Sequence, residues 1–172
     1  MLGNGLLALL RNPEQMLKVQ QDRSLIPDLI DEILRFDGPV QLTNRVITKD
    51  LEMHGVELKK GDFVYLFRGA ANRDERKFSC PNDFNPQRDT EGHVGFGHGI
   101  HYCIGSLLAK AEGEIAFNAL FDRLSNISLR EDSVRWRADN LQFRGLQSLE
   151  MDFNVAFADH ATKQVPEVVI PA

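Results

Sequence analysis

Cys103 carries the most specific chemistry that this sequence offers. It lies in a stretch, Gly95 to Gly105, in which four of eleven residues are glycine. Glycine permits backbone angles and close approaches that other residues cannot make. A long helix is predicted to begin just after Cys103, so amide N–H groups and the positive end of the helix dipole favour a thiolate there. This setting predicts a thiolate ligand for a flat, metal-bearing group lying across the loop.

Three histidines near Cys103 leave a zinc site open as an alternative. His93, His98 and His101 lie with Cys103 within eleven residues, and zinc accepts imidazole and thiolate ligands. Structural zinc sites, however, prefer paired ligands at short fixed spacings in two separate segments, a layout that these residues do not have. A lone cysteine in a glycine-rich turn can also be a small buried apolar residue without a ligand role.

The helices that must position this loop follow from hydrophobic periodicity and from helix start and stop signals. The predicted helices are Leu2 to Leu10, one starting near Pro13, one capped by Ser24 that runs to Arg35 and ends at Gly38-Pro39, a short one within Ala70 to Phe78, and a long one from Ser106 to Leu124. On the long helix, an apolar side is predicted from Leu108, Ala111, Ile115, Ala119 and Leu120.

Short strands are predicted where the hydrophobic period changes to two. They lie within Val40 to Ile47, Val56 to Leu58, Phe63 to Phe67 and a terminal hairpin region from Ile127 to Phe153. Residues 80–99 form a long loop, a feature that is more often functional than idle in a compact chain. The pattern indicates a mainly α fold with small β-sheets, of the α+β class.

Composition narrows the function classes. The chain has 172 residues, 42% of them hydrophobic and 26% charged, as in a soluble globular protein. A net charge of -5 gives no basic excess for binding nucleic acid or an anionic membrane. The apolar stretch Leu6 to Leu10 is too short to span a bilayer. Two cysteines make no disulfide framework, so a cytoplasmic protein is expected. From the net charge and the short apolar stretch, no nucleic-acid or membrane partner is expected.

The segment from Phe96 to Gly105 matches the pattern F-G-x-G-x-H-x-C-x-G at each defined position. This pattern resembles the cysteine-loop signature of the cytochrome P-450 family of haem-thiolate monooxygenases. The resemblance implies a haem cofactor, iron protoporphyrin IX, with Cys103 as its axial ligand. Phe96 would then shield the sulfur, His101 would contact a haem propionate, and Gly105 would complete the cofactor-binding loop.

Glu32 and Arg35 form an E-x-x-R pair like that of the same family, and the segment around Arg88 resembles the family segment that supplies a second arginine. Taken alone, the pair would be an ordinary surface ion pair worth a few tenths of a kcal/mol. The order of Glu32, Arg35, Arg88 and Cys103 along the chain is the order that the family requires. The resemblance implies a buried network that locks the cysteine loop to the core.

Pro39 to Arg45 is similar to the family strand whose arginine binds a haem propionate and whose preceding residues face the substrate. Arg45 suits that role because its guanidinium pairs bidentately with a carboxylate, although a solvated strand arginine is an equal alternative. The resemblance also implies substrate contacts from Val40 and Leu42, and from Gln142 in a C-terminal turn.

The resemblance runs from Leu2 to Phe153 and implies only the C-terminal portion of the cytochrome P-450 fold. Residues 1–153 are predicted to be part of a haem domain, and residues 154–172 a tail. The implied activity is oxygen-dependent hydroxylation of a small apolar substrate, with electrons from a ferredoxin or flavoprotein. Because the family's acid–alcohol pair for proton delivery is absent, the chain alone is expected to be inactive. A truncated non-catalytic remnant and a zinc protein are the alternatives.

Overall fold

The computed structural model describes residues 1–156 of the chain. The predicted tail, 154–172, lies outside the described residues except for its first three, and the last strand extends through Val155 into it. Within residues 1–156 the protein is mainly helical with small antiparallel sheets, so the predicted fold class is confirmed. No helix in this part of the chain is both long and apolar enough to cross a membrane.

Five α-helices follow the predicted order closely. They are α1 (Leu2–Arg11), α2 (Pro13–Gln21), α3 (Ile26–Asp37), α4 (Arg68–Ala71) and α5 (Ser106–Arg123). Helix α5 ends one residue before the predicted boundary. Helix α4 is a single turn that begins two residues before the predicted segment and ends at Ala71, so the prediction of a helix reaching toward Phe78 was too long.

Ser24 does not cap α3, contrary to the prediction. Asp22 instead accepts hydrogen bonds from the Ser24 backbone N–H at 3.0 Å and from its hydroxyl at 2.6 Å. These bonds start a short 3₁₀ turn, Arg23–Leu25, which continues directly into α3. A carboxylate is a stronger acceptor than a hydroxyl, so Asp22, two residues before Ser24, caps the 3₁₀ turn that leads into α3.

Eight short strands form four two-stranded antiparallel sheets within residues 1–156. The pairs are β1 (Leu42–Val46) with β4 (Phe63–Phe67), β2 (Leu51–Met53) with β3 (Val56–Leu58), β5 (Leu124–Leu129) with β8 (Met151–Val155), and β6 (Arg135–Trp136) with β7 (Leu146–Ser148). The strands predicted from Val40 to Phe67 are present, and β2 is an additional strand that periodicity did not reveal. The β1–β4 sheet places Arg45 opposite Val64.

The core lies where α3 packs against α1 and α5. Ile30 and Ile33 of α3 are fully buried beside Leu9 and Phe117. Gly113 lets α5 approach closely, because a Cβ there would lie 2.7 Å from Cδ1 of Ile30. This packing fixes the position of α5, and therefore of the loop that precedes it.

The apolar side predicted for α5 is not its core side. Leu108 and Ile115 are 65% and 70% exposed, whereas Gly113, Phe117 and Phe121 are buried. The helix is apolar on two faces, so a search for one apolar stripe selected the wrong one. Within residues 1–156 the second face is exposed.

Candidate cofactor site around Cys103

The cysteine loop folds back on itself through backbone hydrogen bonds. The Cys103 N–H donates to the Phe96 carbonyl at 2.9 Å, and the Tyr102 N–H donates to the Gly99 carbonyl at 3.0 Å. Gly97 makes this fold possible, because its φ is +83° and a Cβ there would lie 3.0 Å from the His101 carbonyl oxygen. The glycines thus shape a tight loop that presents the cysteine.

Cys103 is a free and exposed cysteine. Its carbonyl accepts a hydrogen bond from the Ser106 N–H at 3.2 Å, which joins the loop to the first turn of α5. Gly105 lies beside the sulfur, since a Cβ at this position would be 3.9 Å from Cys103 Sγ. The sulfur is therefore accessible at the start of α5, with a glycine beside it.

Large apolar side chains flank Cys103 on the exposed surface. Ile100 is 98% exposed and Ile104 is fully exposed, while Leu107 and Leu108 at the start of α5 are 81% and 65% exposed. A cluster of exposed apolar residues in one segment is a mark of a ligand or protein contact. These residues lie within five positions of a free thiol along the chain, which points to an apolar ligand that the sulfur can bind.

Phe96, by contrast, lies beneath the loop. It is 8% exposed, belongs to the core cluster, and packs edge-on against Tyr102 with ring centroids 6.1 Å apart. Because its carbonyl accepts the Cys103 N–H, its backbone and the cysteine are held side by side. Its predicted shielding of the sulfur stays a prediction.

Two candidate donors for an anionic ligand lie on the cysteine loop and on β1. His101 is exposed at the end of a 3₁₀ turn, Gly99–His101, within the loop. Arg45 is half-buried on β1 and donates to the Asn44 carbonyl at 2.7 Å. A guanidinium carries five N–H donors, so this contact leaves others for a carboxylate.

Glu32, Arg35 and Arg88 come together in the interior. Arg35 donates to Glu32 through Nε at 2.6 Å and through a terminal nitrogen at 2.9 Å, with both side chains fully buried. Arg88 Nε lies 3.4 Å from Glu32 Oε1, and its side chain is 9% exposed. Arg35 also donates to the carbonyls of Asn72 and Pro81, both at 2.9 Å. The network therefore ties α3 to the long loop that leads to Cys103.

Asn72 makes a second connection that was not predicted. This buried side chain donates to the Leu34 carbonyl at 3.3 Å and accepts the Val94 N–H at 2.7 Å. It thereby joins the end of α3 to the segment just before Phe96. An asparagine after two alanines carries no sequence signal that would mark it as a buried connector.

A third connection joins α3, the loop and α5. Lys110 Nζ lies 2.7 Å from Asp31, and His93 Nε2 lies 3.6 Å from Asp31 Oδ1. The His93 Nδ1 accepts the Gly95 N–H at 3.1 Å. Burial acts to raise the pKa of Asp31, but the hydrogen bonds from His93 and Lys110 and their charges outweigh it, and the pKa of this carboxyl is lowered.

Two of the three candidate substrate residues, Val40 and Gln142, lie on segments that are hydrogen-bonded to each other. Val40 forms an isolated β-bridge with Phe143, and the Gln41 N–H donates to the Gln142 carbonyl at 2.8 Å. Leu42 follows on β1, opposite Phe67. The structure therefore brings the C-terminal turn beside the start of β1, where Val40 and Leu42 lie.

The zinc alternative finds no geometric support. Among residues 1–156 no three or more histidine, cysteine, aspartate or glutamate side chains are grouped so that they could hold a metal ion. His93 is engaged with Asp31 and the Gly95 backbone, whereas His101 and Cys103 are exposed on the loop surface. The four residues within this segment do not converge on one point.

Comparison with known proteins gives one consistent family. The sequence model of the cytochrome P-450 family matches residues 8–136. The biotin biosynthesis cytochrome P-450 of Bacillus subtilis is 40% identical over 153 residues, which cover 89% of this chain and 38% of that protein. The 6-deoxyerythronolide B hydroxylase of Saccharopolyspora erythraea is 42% identical over 151 residues, covering 87% of this chain and 37% of that protein.

Solved structures agree with the sequence relatives. The cytochrome P-450 CYP109Q5 from Chondromyces apiculatus has a TM-score of 0.85 at 35% identity, covering 90% of this chain and 40% of that one. A cytochrome P-450 in complex with an acyl carrier protein has a TM-score of 0.85 at 40% identity, covering 89% and 40%. The chain spans about two fifths of the length of these relatives. With a family match over most of its residues and the cysteine loop in place, this chain belongs to the cytochrome P-450 family.

Proposed function

We propose that this chain is the haem-ligating part of a cytochrome P-450 monooxygenase and that Cys103 is the thiolate ligand. The observation that carries the proposal is a free, exposed cysteine in a tight glycine loop, with exposed apolar side chains on both sides of it in the sequence. When bound, the haem supplies the iron at which oxygen is activated, and a thiolate ligand favours O–O cleavage.

The residues around Cys103 fit such a group. Ile104 and Leu107 offer apolar surface to a porphyrin face and would exclude water from the sulfur once covered. Arg45 and His101 offer donors to the propionates, and Gly105 keeps bulk away from the sulfur. Phe96 supports the loop from below. These roles are proposals that rest on the position of each residue around the loop.

The reaction we infer is oxygen-dependent hydroxylation of a small organic substrate, with electrons from a ferredoxin or a flavoprotein. One relative's name describes a hydroxylase, which supports this class of reaction. Val40, Leu42 and Gln142 would contact the substrate, because the start of β1 and the C-terminal turn lie side by side. A cytoplasmic location stays a prediction.

We also infer that this chain alone does not catalyse hydroxylation. Its apolar side chains around Cys103 lie open to water, so a haem bound here would gain apolar contacts from this chain on its cysteine side. Such one-sided burial predicts weak haem retention. A non-catalytic remnant would have the same surface, and turnover rather than haem binding separates the two possibilities.

Haem titration with parallel metal analysis tests the proposal. The purified chain is titrated with haem and followed by its Soret absorbance, and its zinc content is measured. We expect weak, saturable haem binding, less than one zinc per chain, and no hydroxylation when a reductase and NADPH are supplied. Stoichiometric zinc without a Soret band would overturn the haem assignment, and hydroxylation by the chain alone would overturn the inference of inactivity.

A further inference from the structure

Arg68 makes a contact with the cysteine loop that lies outside the family signature and outside the roles proposed above. It is the first residue of α4, directly after β4, and its side chain is half-buried. Its Nε donates to the Val94 carbonyl at 2.7 Å, and a terminal nitrogen donates to the Gly95 carbonyl. One guanidinium thus holds two consecutive peptide carbonyls, a use of its planar fork that lysine cannot copy.

The two carbonyls precede the residue that holds the cysteine. The next carbonyl along the chain, that of Phe96, accepts the Cys103 N–H at 2.9 Å. The same segment has two further contacts: the Val94 N–H donates to Asn72, directly after α4, at 2.7 Å, and a Cβ at Gly95 would lie 2.9 Å from Leu34 Cβ on α3. Residues 94–96 are therefore held by Arg68 and Asn72 at the two ends of α4 and lie against α3.

The charges of the site also reach Arg68. Burial lowers the pKa of Arg68, while the charge of Cys103 raises it and the charge of Arg45 lowers it further. The guanidinium therefore lies within electrostatic range of both the proposed iron ligand and the proposed propionate donor. An arginine keeps its charge at any physiological pH, so Arg68 places a constant positive charge near both groups.

We propose that Arg68 is the positioning residue that fastens the cysteine loop to the β4–α4 junction and so holds Cys103 where it meets the cofactor. The inference deepens the proposed function and rests on it for the meaning of Cys103. The fastening itself is a property of the chain without haem. It can therefore be measured without a bound cofactor.

Amide hydrogen exchange at Cys103 in the haem-free, full 172-residue chain tests the proposal. In Arg68→Gln, which loses the fork and the charge, we expect the Cys103 amide to exchange at least about tenfold faster, as the loss of a hydrogen-bonded support implies. Arg68→Lys keeps the charge but not the fork, so we expect intermediate exchange. This second variant also serves if Arg68→Gln does not fold.

Arg73 provides a matched control. It too is half-buried and donates to a backbone carbonyl, that of Phe36, at 3.0 and 2.6 Å, but it does not contact the cysteine loop. Arg73→Gln is expected to lower the unfolding midpoint while leaving exchange at Cys103 unchanged relative to other loop amides. Equal acceleration at Cys103 in Arg68→Gln and Arg73→Gln would overturn the proposal, as would unchanged exchange in Arg68→Gln. Failure of the proposed function would appear elsewhere, as a haem spectrum that does not depend on Cys103.

Discussion

At the scale of single residues, Glu32 shows how burial changes the energetic role of a glutamate–arginine pair that is common in sequences. A glutamate three residues before an arginine is usually a surface ion pair, yet the side chains of Glu32 and Arg35 are fully buried. Arg88 and the Asn85 N–H approach the same carboxylate, at 3.4 and 2.9 Å. One carboxylate therefore compensates two buried guanidinium groups and a backbone donor.

Replacing this carboxylate should be costly. In Glu32→Gln, both arginines lose their counter-charge in a dry interior, and we expect the free energy of unfolding to fall by about 3–5 kcal/mol. Urea unfolding of the haem-free chain measures the change. Asp74→Asn is the control, since the Asp74–Arg76 pair is as short, 2.6 Å, but lies at the surface. Similar losses in the two variants would show that burial of the Glu32 network adds nothing to stability.

The network around Glu32 could be predicted from the sequence, but the fastening of the loop could not. Glu32, Arg35 and Arg88 fall in the order of a known family pattern, so the residue types and their order are enough to identify them. Arg68 and Asn72 act through backbone carbonyls and amides more than twenty residues away. Such bonds depend on backbone position rather than on partner residue type, so the sequence carries no sign of them.

At the scale of elements, Asp31 connects three parts of the fold: α3, α5 and the loop that holds His93. It lies on α3, receives Lys110 from α5, and faces His93 from the loop. The pKa of Asp31 is lowered although burial opposes the shift, because the two partners favour the charged form. This junction holds the start of α5 against α3.

The lowered pKa predicts how stability depends on pH. A carboxyl whose pKa is lower in the folded state stabilises the fold above its unfolded value, near 3.8, and loses that contribution as pH falls through the folded value. Urea unfolding of the wild type and of Asp31→Asn should therefore differ most at pH 5 and above. The difference should shrink as pH falls below about 3.8. A gap that stays constant down to pH 3 would show that Asp31 does not act through its charge.

Element boundaries were predicted better than the faces of the elements. Helix α5 and strand β4 lie where periodicity placed them, because long apolar patterns and glycine turns determine length. The capping residue predicted for α3 was wrong, and the apolar side predicted for α5 is not the side that packs in the core. The first outcome depends on a hydrogen bond to Asp22, and the second on the packing of Phe117 in the core.

At the scale of the whole molecule, residues 1–156 have a packed core on one side of α5 and an exposed apolar surface, here called the open side, near Cys103. Phe117 and Phe121 complete a core with α3, while Ile104 and Leu107 lie in water beside Cys103. A packed core together with an exposed apolar surface is consistent with a protein that binds an apolar cofactor on that surface. The open side should therefore matter for haem uptake and not for folding.

Ile104→Ser separates these two properties. Because Ile104 is fully exposed, the free energy of unfolding of the haem-free chain should change by less than about 0.5 kcal/mol. Loss of its burial against haem should weaken haem binding roughly tenfold or more. Val56→Ser is the control, since Val56 is 58% exposed on the β2–β3 hairpin and should leave haem affinity unchanged. Equal haem affinity in the wild type, Ile104→Ser and Val56→Ser would show that this apolar surface is not part of the haem site.

The central claim, that Cys103 is the haem thiolate ligand, is tested most directly by the carbon monoxide difference spectrum of the reduced chain at saturating haem. The wild type should give the red-shifted Soret band of a thiolate-bound haem. Cys80→Ala, which removes the other exposed free cysteine, should keep that band, and Cys103→Ala should lose it. A red-shifted band that survives in Cys103→Ala, or a wild-type spectrum identical to that of Cys103→Ala, would contradict the ligand assignment.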